Sequence, residues 1–598
     1  MASAALAVAC TDSNGDSSGT GGNGAKGGAA SGGSNSSSGG SASGGSTAGT
    51  AGQGLAGSAG PSDGATDQFH HPTGDADKGQ AVFRFETFGN EGFWTRTLRL
   101  PQGMESAKLT VIQALEAGVN FDIESFPPTL RDEIIAEAET DLSPANAPVM
   151  NDPTTFMALL EANAVVGIAA RNVKTLNGTL DINETNVYAG ESVGMTCAFC
   201  HGLTDGSVYA MPQGGGIGVR SDGRANHDLN VGASLALGEN SRAFYPTLAL
   251  DLVANKHKSV SRLGVGLGLV SKAATEEEVD SYLLDPELYP VGMFDDAADG
   301  NGAPMHNTPL FRADLAAPWG TDGSIEMLQN FNNLVYTALF DPTDLTTEGG
   351  RQFMFERGGA AGTEIVDNYV GILASMGVPA GGVNGYPFVG RPGKTDVAVG
   401  LAAGAKVEDS LIGIRVDDTA LLDLNAYLNS LPAPRVVSPL GARVARGRML
   451  FRTACTSCHN DDQSRFVPQN IVPYNDSVEF FENAPARPAL FPSYAGALVA
   501  DRSAARLAPA RNSPGIFDDK LIIVDASNRN QPRGSALPLL LDLARKPNFL
   551  HDSSVASLDE LLDPTRGEGA PHPFFIADPD QRQDVALFLE SLDDQPSE

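Results

Sequence analysis

Apolar positions recur along this chain at helical spacing, and two of the segments they define occur twice. Asp423-Leu424-Asn425-Ala426-Tyr427-Leu428-Asn429-Ser430-Leu431 is echoed by Asp584-Val585-Ala586-Leu587-Phe588-Leu589-Glu590-Ser591-Leu592. Each puts an aliphatic residue, an aromatic and two leucines on one stripe, which predicts an amphipathic helix carrying an aromatic knob. Likewise Lys78-Gly79-Gln80-Ala81-Val82-Phe83-Arg84 matches Arg446-Gly447-Arg448-Met449-Leu450-Phe451-Arg452. Here a short helix carries a glycine that permits close approach of another backbone. The chain therefore reads as a degenerate repeat, each unit opened by one helix and closed by the other. Units 67–435 and 436–598 meet at Pro432-Ala433-Pro434, where a helix cannot continue.

The repeat is unequal. An insertion at about 88–190 enlarges the first unit, and its pattern (Met157, Leu159, Leu160, Ala164, Val165) predicts mainly helix. Ser557-Leu558-Asp559-Glu560 reads as a capping box starting a helix that Pro564 stops. Gly214–Gly218 and Gly264–Gly268 read as loops, and neither runs into the Gly-Lys-Ser/Thr step of a phosphate cradle. Ahead of the repeat, residues 11–66 are almost wholly Gly, Ser, Ala, Thr and Asn. With nothing to bury, that stretch is expected to be a flexible tether.

Composition adds an address and limits the partners. The 598 residues are 41% apolar, enough for real cores, yet no apolar run has the length of a spanning helix. Asp and Glu outnumber Lys and Arg by 73 to 40. That excess argues against nucleic acid and anionic lipid surfaces and suits a basic redox partner, although an acidic surface also serves solubility alone. Asp295, Asp296, Asp299 and Asn301 stand beside Gly300 and Gly302 and could bind calcium. Their spacing matches no EF-hand, and a solvated acidic loop is the preferred reading.

The candidate chemistry lies in the cysteines. Cys197-Ala198-Phe199-Cys200-His201 and Cys455-Thr456-Ser457-Cys458-His459 are two copies of the spacing that attaches a c-type haem. Thiols three apart share a helical face and can form thioethers to the porphyrin, while the following His reaches the iron. A zinc site would need the two distant pairs to converge, and a redox dithiol has no use for the His. The fifth cysteine, Cys10, follows Ala5-Leu6-Ala7-Val8-Ala9, so residues 1–10 resemble a lipoprotein signal remnant that would be acylated at Cys10.

His201 and His459 are the expected proximal ligands. For the second iron no methionine follows Met449, which leaves His551 and His572 within that unit. His551, in a loop ahead of the Ser557 helix, is the preferred one. For the first iron Met211, His227, His257, Met293, Met305 and His306 all remain open, and an absent protein ligand is the favoured reading.

The closing helix, the Pro-rich link, Arg446-Gly447-Arg448-Met449-Leu450-Phe451, the Cys455 motif and Asn548-Phe549-Leu550-His551-Asp552 together resemble the bacterial di-haem cytochrome c peroxidase superfamily. That group includes methylamine-dehydrogenase maturation enzymes and rubber-cleaving di-haem oxygenases. The resemblance covers about 415–592 well and the rest loosely. It implies a mainly α fold of two class I cytochrome c-like haem domains, at 67–435 and 436–598, each with a covalent haem c. It implies an extracytoplasmic location, periplasmic or cell-surface, and associates His551 with the second iron, although Ser553 stands where the family has Gly. Trp319, in Pro318-Trp319-Gly320-Thr321-Asp322-Gly323, would relay electrons between haems, or else simply pack. The resulting expectation is electron transfer, with peroxide or dioxygen chemistry at the first haem. The alternative is a pure electron carrier with both irons six-coordinate.

Overall fold

Asp75 accepts hydrogen bonds from the backbone N–H groups of Asp77 and Lys78 and so starts helix α1, Ala76–Phe85. This helix crosses α2, Asp418–Ser430, at a point where any side chain would collide: a Cβ on Gly79 would sit 1.9 Å from the carbonyl oxygen of Asp423. Phe83 then packs on Tyr427, ring centroids 5.7 Å apart. The same joint is built again between α3, Ala442–Ala454, and α4, Pro579–Glu590. There a Cβ on Gly447 would sit 1.9 Å from the Asp584 carbonyl oxygen, and Phe451 packs on Phe588 at 5.3 Å. The repeat read from the sequence is thus a repeat of one helix crossing, set by a glycine and an aromatic on matched helical faces.

The computed structural model describes residues 74–172, 191–248, 273–285, 289, 291–296, 304–316, 319, 328–378, 412–435, 441–456, 459–465, 467, 471–473, 534–549, 555–566, 572 and 574–595. The expected tether, Cys10, His257, Gly264–Gly268, Asp299, Asn301, Cys458 and His551 lie outside them.

Among the described residues the chain is mainly α, with short strands. The insertion leaves after α1 and returns to it: the Thr196 hydroxyl donates to the Arg84 carbonyl at 3.2 Å, which delivers Cys197 to the end of α1. Within it stand helices Leu100–Ala107, Val111–Glu116, Pro128–Glu137 and Pro153–Glu161, as the pattern predicts. It also contains an antiparallel hairpin of Ile168–Asn172 with Glu191–Met195, which helical periodicity does not reveal. Asn90 fastens that hairpin by donating to the Met195 carbonyl and accepting its N–H, at 2.8 and 3.0 Å.

One glycine stretch differs from expectation. Gly216–Gly218 is a strand, parallel to Phe121–Asp122 and antiparallel to Tyr209–Ala210. Its neighbours come so close that a Cβ on Gly218 would meet the Asp205 carboxylate at 2.2 Å. The glycines are there for contact, not for a turn.

Ser557 caps helix Leu558–Leu561 through the Glu560 N–H, as expected. Glu560 reaches back to the Ala556 N–H instead of the Ser557 N–H, one residue beyond a capping box.

Two apolar cores follow the two crossings, one around Phe83, Tyr336 and Leu424, the other around Phe451, Val585 and Phe588. Residues between the crossings join them. The Val467 N–H donates to the Leu315 carbonyl at 3.0 Å, and Leu541 enters the first core.

Candidate functional site

The first Cys-x-x-Cys-His segment is one helical turn, Ala198–His201, with Cys197 as its N-cap and the His201 N–H bonded to the Cys197 carbonyl at 3.2 Å. Backbone bonds hold it from outside: Gly223 N–H to the His201 carbonyl at 2.8 Å and Asn226 N–H to the Cys200 carbonyl at 2.9 Å. Cys200 and His201 are buried, and Cys197 half-buried. All three line a narrow cleft walled by Phe294, Leu310, Phe331, Val335, Phe340 and Leu428, with a cavity volume of only about 30 Å³.

One wall depends on a widened turn. Helix Leu328–Leu334 passes into a π-helical stretch, Val335–Leu339, and the extra residue lets Val335 and Phe340 face the cleft while Tyr336 reaches the cysteine. The Tyr336 hydroxyl lies 3.2 Å from Cys197 Sγ and donates to the Glu86 carbonyl at 3.2 Å.

Burial sets the charge states here. It pushes the Cys197 thiol up to about 11 and the Cys200 thiol up to about 12, so both are uncharged. It also holds the His201 imidazole well below its ordinary value, opposed by a hydrogen bond to the Thr308 backbone. A neutral imidazole is the form that ligates a metal. None of the described candidates for a second ligand is among the residues lining the cleft. Met293 is buried, and the side chains of Met305 and His306 lie outside the described residues. His227, which burial lowers to about 4, is near enough for its charge to act on His201.

In the second segment α3 delivers Cys455, whose N–H donates to the Phe451 carbonyl at 2.8 Å, and the His459 N–H donates to the Cys455 carbonyl at 3.0 Å. The His459 ring faces His572, with centroids 6.2 Å apart and planes at 45°. Each ring has a buried Nδ1 with no hydrogen-bond partner among the described residues. Burial lowers His459 to about 4; burial, then the charges of His459 and Arg566, lower His572 to about 3. Two metal–imidazole bonds of ~2 Å plus the two half-widths of the rings add to about 6 Å, so these neutral imidazoles fit opposite sides of one metal ion.

His572 occupies this place at a backbone cost. Its φ is +52°, in the left-handed region, and its carbonyl accepts the Phe574 N–H at 2.9 Å. A β-carbon residue held there marks strain imposed by the surroundings. The sequence leaves His551 and His572 as partners of His459 and prefers His551, which lies outside the described residues.

Trp319 is 1% exposed and belongs to the first core. It lies on the segment that ties the two motifs together. The Gly223 carbonyl, next to His201, accepts the Leu310 N–H at 2.8 Å, and Leu315 binds Val467 beyond His459. Tyr336 and Phe331 were not legible as site residues, because nothing in a sequence announces a π-helical turn.

No family model, curated protein or solved structure matches this chain.

Proposed function

We propose that the chain is an extracytoplasmic di-haem c-type cytochrome of the bacterial di-haem cytochrome c peroxidase kind. One haem c is attached through Cys197 and Cys200 with His201 on the iron, the other through Cys455 and Cys458 with His459. The group supplies reversible one-electron chemistry at each iron. The observation that carries the reading is the 6.2 Å opposition of His459 and His572 directly behind a haem-attachment spacing. Buried apolar walls around Cys200 and His201 support the first site in the same way.

The two sites divide the work. His459 and His572 would both hold the second iron, whose chemistry there would be the carriage of electrons. His201 alone would hold the first iron, which would supply peroxide or dioxygen chemistry, and the apolar cleft around it would limit water. Trp319, buried on the connecting segment, relays electrons between them. The acidic chain meets a basic redox partner, and acylation of Cys10 would anchor it to a membrane.

A second reading has one observation in its favour: His227 lies close enough to influence His201 electrostatically. If it closed the first iron, the protein would be a pure carrier. Electron paramagnetic resonance of the oxidised protein separates them. One low-spin and one high-spin iron is the expected result, two low-spin irons would make it a carrier, and no haem signal would end both.

A further inference from the structure

Asp341-Pro342-Thr343-Asp344-Leu345-Thr346-Thr347 has no part in the haem reading, yet Asp341, Thr343 and Asp344 are 0% exposed. Pro342–Thr346 forms a 3-10 turn that feeds helix Glu348–Ser375. Asp341 accepts from the Thr343 N–H at 3.1 Å and from the Thr343 hydroxyl. The main chain of Asp344 is fixed too, its carbonyl taking the Thr347 hydroxyl at 2.7 Å and the Thr347 N–H at 3.1 Å. Its side chain is not satisfied: among the described residues neither buried carboxylate oxygen has a hydrogen-bond partner.

The surroundings sharpen the problem. Among the described residues the charged group that acts on Asp344 is Asp341, a second buried acid. Tyr369, also 0% exposed, feels both carboxylates but donates its hydroxyl to the Ala243 carbonyl at 2.8 Å. An unpaired carboxylate in such a place demands a counter-charge or a proton. The available donors are all oxygen: two carboxylates, a threonine hydroxyl and the carbonyls of a tight turn. That is the donor set of a hard cation, and no nitrogen or sulfur ligand stands with it among the described residues.

We propose that Asp341 and Asp344 hold a hard divalent cation, calcium in the first instance, completed by turn carbonyls and water. The ion would tie the 3-10 turn to the start of helix Glu348–Ser375, where a Cβ on Gly350 would already meet the Asp344 carbonyl at 2.4 Å. Phe340, the residue before Asp341, walls the cleft of the first Cys-x-x-Cys-His segment, so the ion also steadies that wall. The inference does not rest on the haem reading.

The test uses the full chain as purified. Metal analysis is expected to find about one tightly held divalent ion per chain. Dialysis against a calcium chelator is expected to lower the thermal midpoint by several degrees, and calcium chloride to restore it. Asp344→Asn, and Asp341→Asn if the first does not fold, should bind no calcium and ignore the chelator. A wild-type chain without divalent metal, whose midpoint neither chelator nor calcium moves, overturns the proposal and makes Asp344 a buried neutral acid. Undiminished calcium binding in both variants overturns it equally, by placing the ion elsewhere.

Discussion

His459 and His572 lie 6.2 Å apart between ring centroids, each with a buried Nδ1 that has no hydrogen-bond partner among the described residues. Aromatic side chains in plain packing also stand about 4.5–7 Å apart, so the distance alone does not call for a metal. That the two rings share an iron is proposed from this pairing together with the haem-attachment spacing ahead of it.

His572→Ala should therefore turn the second iron from low-spin to high-spin and open it to carbon monoxide, while His551→Ala should leave its spectrum unchanged. Electron paramagnetic resonance and the Soret band of the reduced protein with carbon monoxide check both. A low-spin second haem that survives His572→Ala and is lost in His551→Ala would reverse the assignment.

The crossing of α3 and α4 tolerates no β-carbon at Gly447, where one would sit 1.9 Å from the Asp584 carbonyl oxygen. Gly447→Ala should destabilise by about 1–3 kcal/mol, because neither backbone can yield without opening the Phe451–Phe588 contact. Gly371 lies in helix Glu348–Ser375 with nothing within 4 Å of its would-be Cβ. Gly371→Ala should stabilise by ~0.5–1 kcal/mol through the lost freedom of the unfolded chain. Denaturant titration of the two variants measures the contrast, and equal effects would mean that the crossing is not as close as described.

Acid should loosen the same joint. Hydrogen bonds from Arg446 and Arg443 hold the Asp584 carboxyl below the usual carboxylate range. A carboxyl depressed in the folded chain contributes stability that is present above its unfolded value and lost as pH falls through its folded one. Asp584→Asn should flatten the decline of the thermal midpoint in that acidic window, with little added effect of lowering pH. A decline as steep as wild type would assign it to other carboxylates.

Trp319→Phe keeps an aromatic in the core but a poorer relay. Electron transfer between the haems, followed by rapid mixing of the half-reduced protein, should slow while both haem spectra stay the same. An unchanged rate would reduce Trp319 to packing.

The fold and the site differ in how far the sequence carries them. Gly79 with Phe83 and Gly447 with Phe451 mark both opening helices, because close crossing needs a missing side chain and a neighbouring knob, and both leave a readable spacing. The hairpin Ile168–Asn172 with Glu191–Met195 leaves none: its strands are short and far apart in sequence. Methionine counting reduces the partners of His459 to two histidines. That His572 stands beside His459 is a property of the folded chain and leaves no mark in the spacing. Tyr336 reaches Cys197 only because of one extra residue in a helical turn. Even buried, Trp319 looks the same as relay and as filler.

The central claim is that sulfur fastens two haems to this chain, and the intact mass of the mature protein tests it most directly. The mass is predicted to exceed that of the polypeptide by two haem groups under denaturing conditions, by one in Cys197→Ala/Cys200→Ala, and by one in Cys455→Ala/Cys458→Ala. A wild-type mass equal to that of the polypeptide alone would contradict it.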